Sequence, residues 1–137
     1  MDIPDIWTPA AFVFGAQITF MHWRIQRELS MEENDAVTWL PPCDYLNLLS
    51  MLCTVGLVFC VPILDLRLFN VEPSVLALRA FGASAIFLVG YLFAVAGHYR
   101  LFIGGHGPRP WRTAQETAAL IATLSAIAVY VAYFAMH

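Results

Sequence analysis

Apolar residues in this chain come in long blocks instead of at the spacing of one helix face. Four stretches, Ile6–Trp23, Leu48–Leu64, Ala80–Gly97 and Thr117–Met136, contain no Asp, Glu, Lys or Arg. At about 1.5 Å of rise per residue, each is long enough as a helix to cross roughly 30 Å of hydrocarbon. A helix on a water-soluble domain keeps a polar outer face, and none of these four has one. The pattern predicts an all-α integral membrane protein: an antiparallel bundle of four transmembrane helices in a single domain over residues 1–137. With their flanking residues the spans cover approximately 6–28, 44–66, 74–102 and 114–136.

Local signals refine these elements. Thr8-Pro9 suggests a helix start, with the proline in the first turn. Ser30-Met31-Glu32-Glu33 and Thr113-Ala114-Gln115-Glu116 both have capping-box spacing. The first predicts a short helix in loop one, the second the start of span four. Pro62 is placed to kink the far end of span two. Small residues recur every fourth position at Ala11, Gly15 and Thr19, at Gly90 and Ala94, and at Ala114, Ala118, Ala122 and Ala126. Such stripes let helix backbones approach closely in lipid, within one bundle or between subunits.

Composition agrees. Only 12% of residues are charged, against about 25% in a soluble domain. Asp2 and Asp5 stand where a signal peptide carries basic residues, so the first stretch reads as a span and not a cleaved leader. A net charge of −3 without any basic run argues against a nucleic-acid partner. Cys43, Cys53 and Cys60 form no CxxC pair, and a thiol inside an apolar span packs as a small hydrophobe. Arg24, Arg27, Arg100, Arg109 and Arg112 fall in one set of loops, and Arg67 and Arg79 in the other. This five-to-two bias places the longer loops in the cytoplasm and both termini outside.

The chemistry therefore belongs to the cytoplasmic helix ends. Span one brings His22, Arg24 and Arg27 there, span two Asp44 and Asn47, span three His98 and Arg100, and span four Arg112, Thr113 and Glu116. Anchoring at the headgroups is the plain alternative for any one of them. His22 and His98 end spans running in the same direction, and two such imidazoles can hold a b-type haem. No His or Cys has partners at metal-ligand spacing, so no other metal site is expected. The loop from Phe102 to Trp111 combines three glycines with His106 and Arg109, and Arg112 follows it. This is the composition of an anion site at headgroup level. No acid lies deep enough in a span to indicate a proton relay.

Three segments bear a resemblance to a known family. Asp35-Ala36-Val37-Thr38-Trp39-Leu40-Pro41 resembles the Asn-Ala-Val-Glu-Tyr-Ile-Pro type of segment of the MAPEG family (membrane-associated proteins in eicosanoid and glutathione metabolism). Pro110-Trp111-Arg112-Thr113 is similar to that family's Pro-x-Arg-Ser, and His98-Tyr99-Arg100-Leu101-Phe102 resembles its bacterial members. The resemblance implies a homotrimer in the bacterial inner membrane, with glutathione bound between subunits near the cytoplasmic face. It also implies a transferase or peroxidase acting on a lipophilic substrate. Carried over, Arg112 stabilises the thiolate and Thr113 donates the hydroxyl. A cation, a hydroxyl and a helix N-terminus all favour the thiolate, which is the nucleophile. The family's Arg-x-x-x-Asn-x-x-Glu appears here as Met31, Asp35 and Thr38. Asp35 and Thr38 would then face glutathione, with His98, Arg24, Arg27, Arg100 and Arg109 compensating for the replaced residues. The alternative is a non-catalytic module of the same build that binds lipid or a partner, or a small subunit of a larger membrane complex.

Overall fold

The computed structural model describes residues 3–31, 41–68, 71–99 and 112–136. Four long helices account for nearly all of them: α1 (Ile3–Met31), α2 (Pro42–Ile63), α3 (Pro73–His98) and α4 (Ala114–Met136). Helices α2, α3 and α4 are long and apolar enough to cross a membrane. At 29 residues α1 is the longest, but Gln17 and His22 dilute its apolar stretch.

The helix starts follow local chemistry. Pro42 and Pro73 occupy the first turns of α2 and α3, where the missing N–H is an orphan in any case. Asp44 adds a carboxylate to the positive end of α2. Two expectations are corrected. Helix α1 begins at Ile3 and not at Thr8-Pro9, so Pro9 lies inside it. The proline removes one backbone donor close to the helix end, and the turn before it survives that loss. Ser30 does not cap a new helix either. It belongs to the last turn of α1, where its hydroxyl donates to the Arg27 carbonyl at 2.8 Å. The rest of that motif, Glu32 and Glu33, lies outside the described residues.

Helix α2 is irregular in its middle. Cys53–Cys60 is π-helical, and α-helical bonding resumes at Val61–Ile63. The departure therefore precedes Pro62. Asp65, with φ 48°, then turns the chain out of the helix in a left-handed conformation.

Helix α3 is the hub, lying along α4 on one side and α2 on the other, while α1 packs on α2 and α3. Glycine allows the closest approaches. A Cβ at Gly90 would overlap the Thr123 side chain, and one at Gly97 would come within 2.8 Å of the backbone at Gln115 and Glu116.

Burial is inverted relative to a soluble protein. The largest fully buried side chains include Arg24, Gln17, Glu116, Asn47 and Asp44, whereas Phe12 is 83% exposed, Val129 71% and Leu52 68%. Apolar side chains outside and paired polar ones inside are the arrangement for a hydrocarbon solvent.

Candidate functional site

The inward polar residues form two groups. The first lies where the end of α1, the start of α2, the end of α3 and the start of α4 meet. Arg24 and Asp44 are 2% and 1% exposed. Arg24 Nε donates to both Asp44 oxygens, at 3.3 and 3.2 Å, and Arg24 Nη1 donates to the Tyr99 hydroxyl. The Arg27 guanidinium lies over the Tyr99 ring, 4.1 Å from its centroid.

Beside this pair, Glu116 joins three helices. Thr113 caps α4: its hydroxyl accepts from the Glu116 N–H at 3.0 Å, and Glu116 Oε2 accepts from the Thr113 N–H at 3.4 Å. This is the reciprocal capping box legible in the sequence. The Thr113 hydroxyl also donates to the Gly97 carbonyl at 2.8 Å, which the absence of a side chain at Gly97 permits. The Glu116 carboxylate reaches further. Oε1 accepts from the Cys43 N–H at 3.1 Å, and Oε2 is 2.8 Å from His98 Nδ1. Donor atoms of Cys43, His98 and Glu116 all lie within 4.8 Å of one another. The Cys43 thiol is 3.8 Å from Asp44 Oδ1, which links the two pairs into one cluster.

The second group lies deeper, between α1, α2 and α3. Gln17 Nε2 donates to Ser50 Oγ at 2.6 Å, Ser84 Oγ at 3.1 Å and Thr54 Oγ1 at 3.3 Å. Asn47 Nδ2 donates to the Gln17 carbonyl at 3.1 Å, and Ser50 Oγ to the Ser84 carbonyl at 2.6 Å. Gln17 Oε1 and Asn47 Oδ1 are buried without a protein partner. Polar bonds of this kind hold helices together where lipid offers no hydrophobic drive.

Of the residues expected to carry chemistry, Arg24, Asp44, His98, Thr113 and Glu116 meet in the end cluster, Arg27 borders it through Tyr99, and Asn47 belongs to the deeper layer. Arg112 does not: it is exposed and donates from Nε to Thr117 Oγ1 at 2.7 Å. His22 is exposed on α1, whereas His98 turns inward to Glu116 and stands edge-on to Tyr99. Asp35, Thr38, Arg100 and Arg109 lie outside the described residues, as does the Phe102–Trp111 loop.

Sequence reasoning assigned Cys43 to no site and Tyr99 no role, and it overlooked the Gln17 layer. Usable signals were present. Glu116 is the one acid in α4, Cys43 adjoins an acid at a helix start, and Ser50 and Thr54 share a face with Asn47.

Among the described residues, open cavities also lie away from this cluster. A trough of about 600 Å³ runs between α3 and α4, walled by Val89, Gly90, Phe93, Ala118, Ala122 and Ala126. No protein-family model, curated protein or solved structure matches the chain.

Proposed function

We propose that this chain is a four-span membrane protein acting without catalysis, as a helix-docking module that pairs with a second copy of itself through α4. Four spans are favoured because Gln17 and Arg24 of α1 are turned inward while Phe12, Ile18 and Ile25 face out. The observation that carries the docking role is the trough. Its α4 wall includes the exposed alanines Ala118, Ala122 and Ala126, on a helix whose apolar stretch is only 6% buried. Small residues at four-residue spacing admit a second backbone at close range, and a trough beside them gives that helix a second wall. Two copies inserted in the same direction carry this stripe at the same depth, so a two-fold axis along the membrane normal makes the contact self-complementary. The polar cluster favours a non-catalytic role, because its Arg24–Asp44 and His98–Glu116 pairs are internal.

The test is disulfide trapping of Ala122→Cys in native membranes, in a Cys53→Ala/Cys60→Ala background. A covalent dimer trapped at Ala122→Cys but not at Ile121→Cys supports the reading, as does loss of the dimer in Ala122→Leu under mild detergent. A protein that stays monomeric, or that purifies only with foreign subunits, overturns it.

A second reading, glutathione-dependent chemistry of the MAPEG type, is favoured by one placement. Arg112 is exposed at the start of α4, open to an anionic thiol at a subunit boundary. Glutathione-dependent turnover abolished by Arg112→Leu would support it. Absence of turnover in the wild type, measured against empty micelles, would remove it.

A further inference from the structure

We propose that Cys43, His98 and Glu116 form a binding site for one zinc-class divalent cation, closing the polar end of the bundle. The three residues come from α2, α3 and α4, so a shared ion would tie together three helices. Their chemistry suits zinc: a thiolate, an imidazole and a carboxylate are its three common protein ligands, and three of them leave one tetrahedral position open. Cys43 and Glu116 are fully buried and His98 is 8% exposed.

The spacing fits with small adjustments. Zinc–ligand bonds of about 2.0–2.3 Å put tetrahedral donors about 3.3–3.8 Å apart. The donor atoms here lie within 4.8 Å, with His98 Nδ1 and Glu116 Oε2 at 2.8 Å. A metal replacing the shared proton would push that pair apart by about half an ångström and draw the thiol inward.

The surroundings are built for a fixed carboxylate. Glu116 is held by N–H groups of Cys43 and Thr113, which leaves its orientation little freedom. Such outer bonds orient ligands and typically change metal affinity about 10–100-fold. Charge balances as well. Arg24, the nearby cation, is already paired with Asp44. A divalent ion would displace the Cys43 thiol proton and take the Nδ1 lone pair of His98 in place of its hydrogen bond to Glu116, leaving thiolate, neutral imidazole and carboxylate around it. The two negative charges of thiolate and carboxylate then match the two positive charges of the ion. The site lies within one protomer, so it does not depend on the docking role proposed above and is read equally in monomers and dimers.

The test uses Co²⁺ as an optical substitute for zinc on the full-length, reduced, chelator-treated protein in detergent. In the Cys53→Ala/Cys60→Ala variant Cys43 is the only thiol, so any thiolate-to-cobalt charge-transfer band belongs to it. The expected result is a band saturating at one Co²⁺ per chain, intense tetrahedral d–d absorption, and displacement by Zn²⁺. In the same background, His98→Gln should weaken binding more than about 10²-fold, beyond the cost of an outer-shell change, with helicity retained. Absence of the band in the folded single-thiol protein, or a band undiminished by His98→Gln, would overturn the site.

Discussion

Removing one member of the Arg24–Asp44 pair should cost far more than removing both. The two side chains are 2% and 1% exposed, and Arg24 Nε contacts both carboxylate oxygens. Replacing Asp44 by Leu leaves a buried guanidinium without the carboxylate that balances it. Replacing Arg24 by Met strands a carboxylate. Each single loss should cost about 3–5 kcal/mol, the range for breaking a buried pair. At about 1.4 kcal/mol per decade this is a drop of 10²-fold or more in the folded-to-unfolded ratio. The double change Arg24→Met/Asp44→Leu removes both desolvated charges and leaves the Tyr99 hydroxyl without the bond from Nη1. A hydrogen bond from a charged group contributes about 1.5–3 kcal/mol, so the double variant should sit within about 3 kcal/mol of wild type. The coupling energy is then about 3 kcal/mol or more. Equilibrium unfolding in mixed micelles, followed by tryptophan fluorescence and circular dichroism, measures all four corners of the cycle. Additive single effects, or single losses below about 1 kcal/mol as at exposed pairs, would refute the claim that this bridge is buried and coupled.

Other expectations follow from the same contacts. Gly97→Ala places a methyl 2.8 Å from the α4 backbone and should cost about 1–3 kcal/mol, as overpacking does. Because the obstacle is backbone, a larger residue should not be rescued by rearranging a neighbouring side chain. Thr113→Ala should lose about 0.5–2 kcal/mol with the cap, while Thr113→Ser should keep most of it, both read by the same unfolding assay. Gln17→Leu should cost about 0.6–2 kcal/mol, the range for interhelical polar bonds in membranes. A larger loss would mean that the layer organises the bundle instead of only joining it. Cysteines added at both termini should react with an impermeant reagent from outside intact cells, and protection of both would reverse the orientation derived from arginine placement.

Much of the fold was legible because the signals are one-dimensional. Span lengths depend only on consecutive apolar residues, and the expected 74–102 and 114–136 correspond to helices Pro73–His98 and Ala114–Met136. The Thr113–Glu116 box was equally local, since both partners lie within one turn. The second use of Glu116 was not legible. Its reach to His98 and to Cys43 depends on how three helices are rotated about their axes, and no spacing within one helix encodes that. The Gln17 layer escaped for a related reason: amides and hydroxyls scattered through apolar stretches look like noise until Ser50, Thr54 and Ser84 face the same side chain. Arg112 is a different case: its type and position suggested a site, and the structure places it exposed at the start of α4 with Nε on Thr117 Oγ1, apart from the buried cluster.

The wide turns at Cys53–Cys60 bear on how this gene can change. A π segment holds surplus residues that an α-helix of the same length would not need. Deleting one residue elsewhere in α2 would rotate everything beyond it by about 100°, since 3.6 residues make a turn. A deletion between Asp44 and Ser50, for example, would swing Cys43 and Asp44 out of register with Ser50 and Thr54. A deletion within Cys53–Cys60 can be absorbed by tightening the helix, with both flanks still facing their partners. This stretch is thus the place in α2 where length variation is least harmful. A scan of single-residue deletions, scored by membrane expression, should show a window of tolerance there and intolerance on either side.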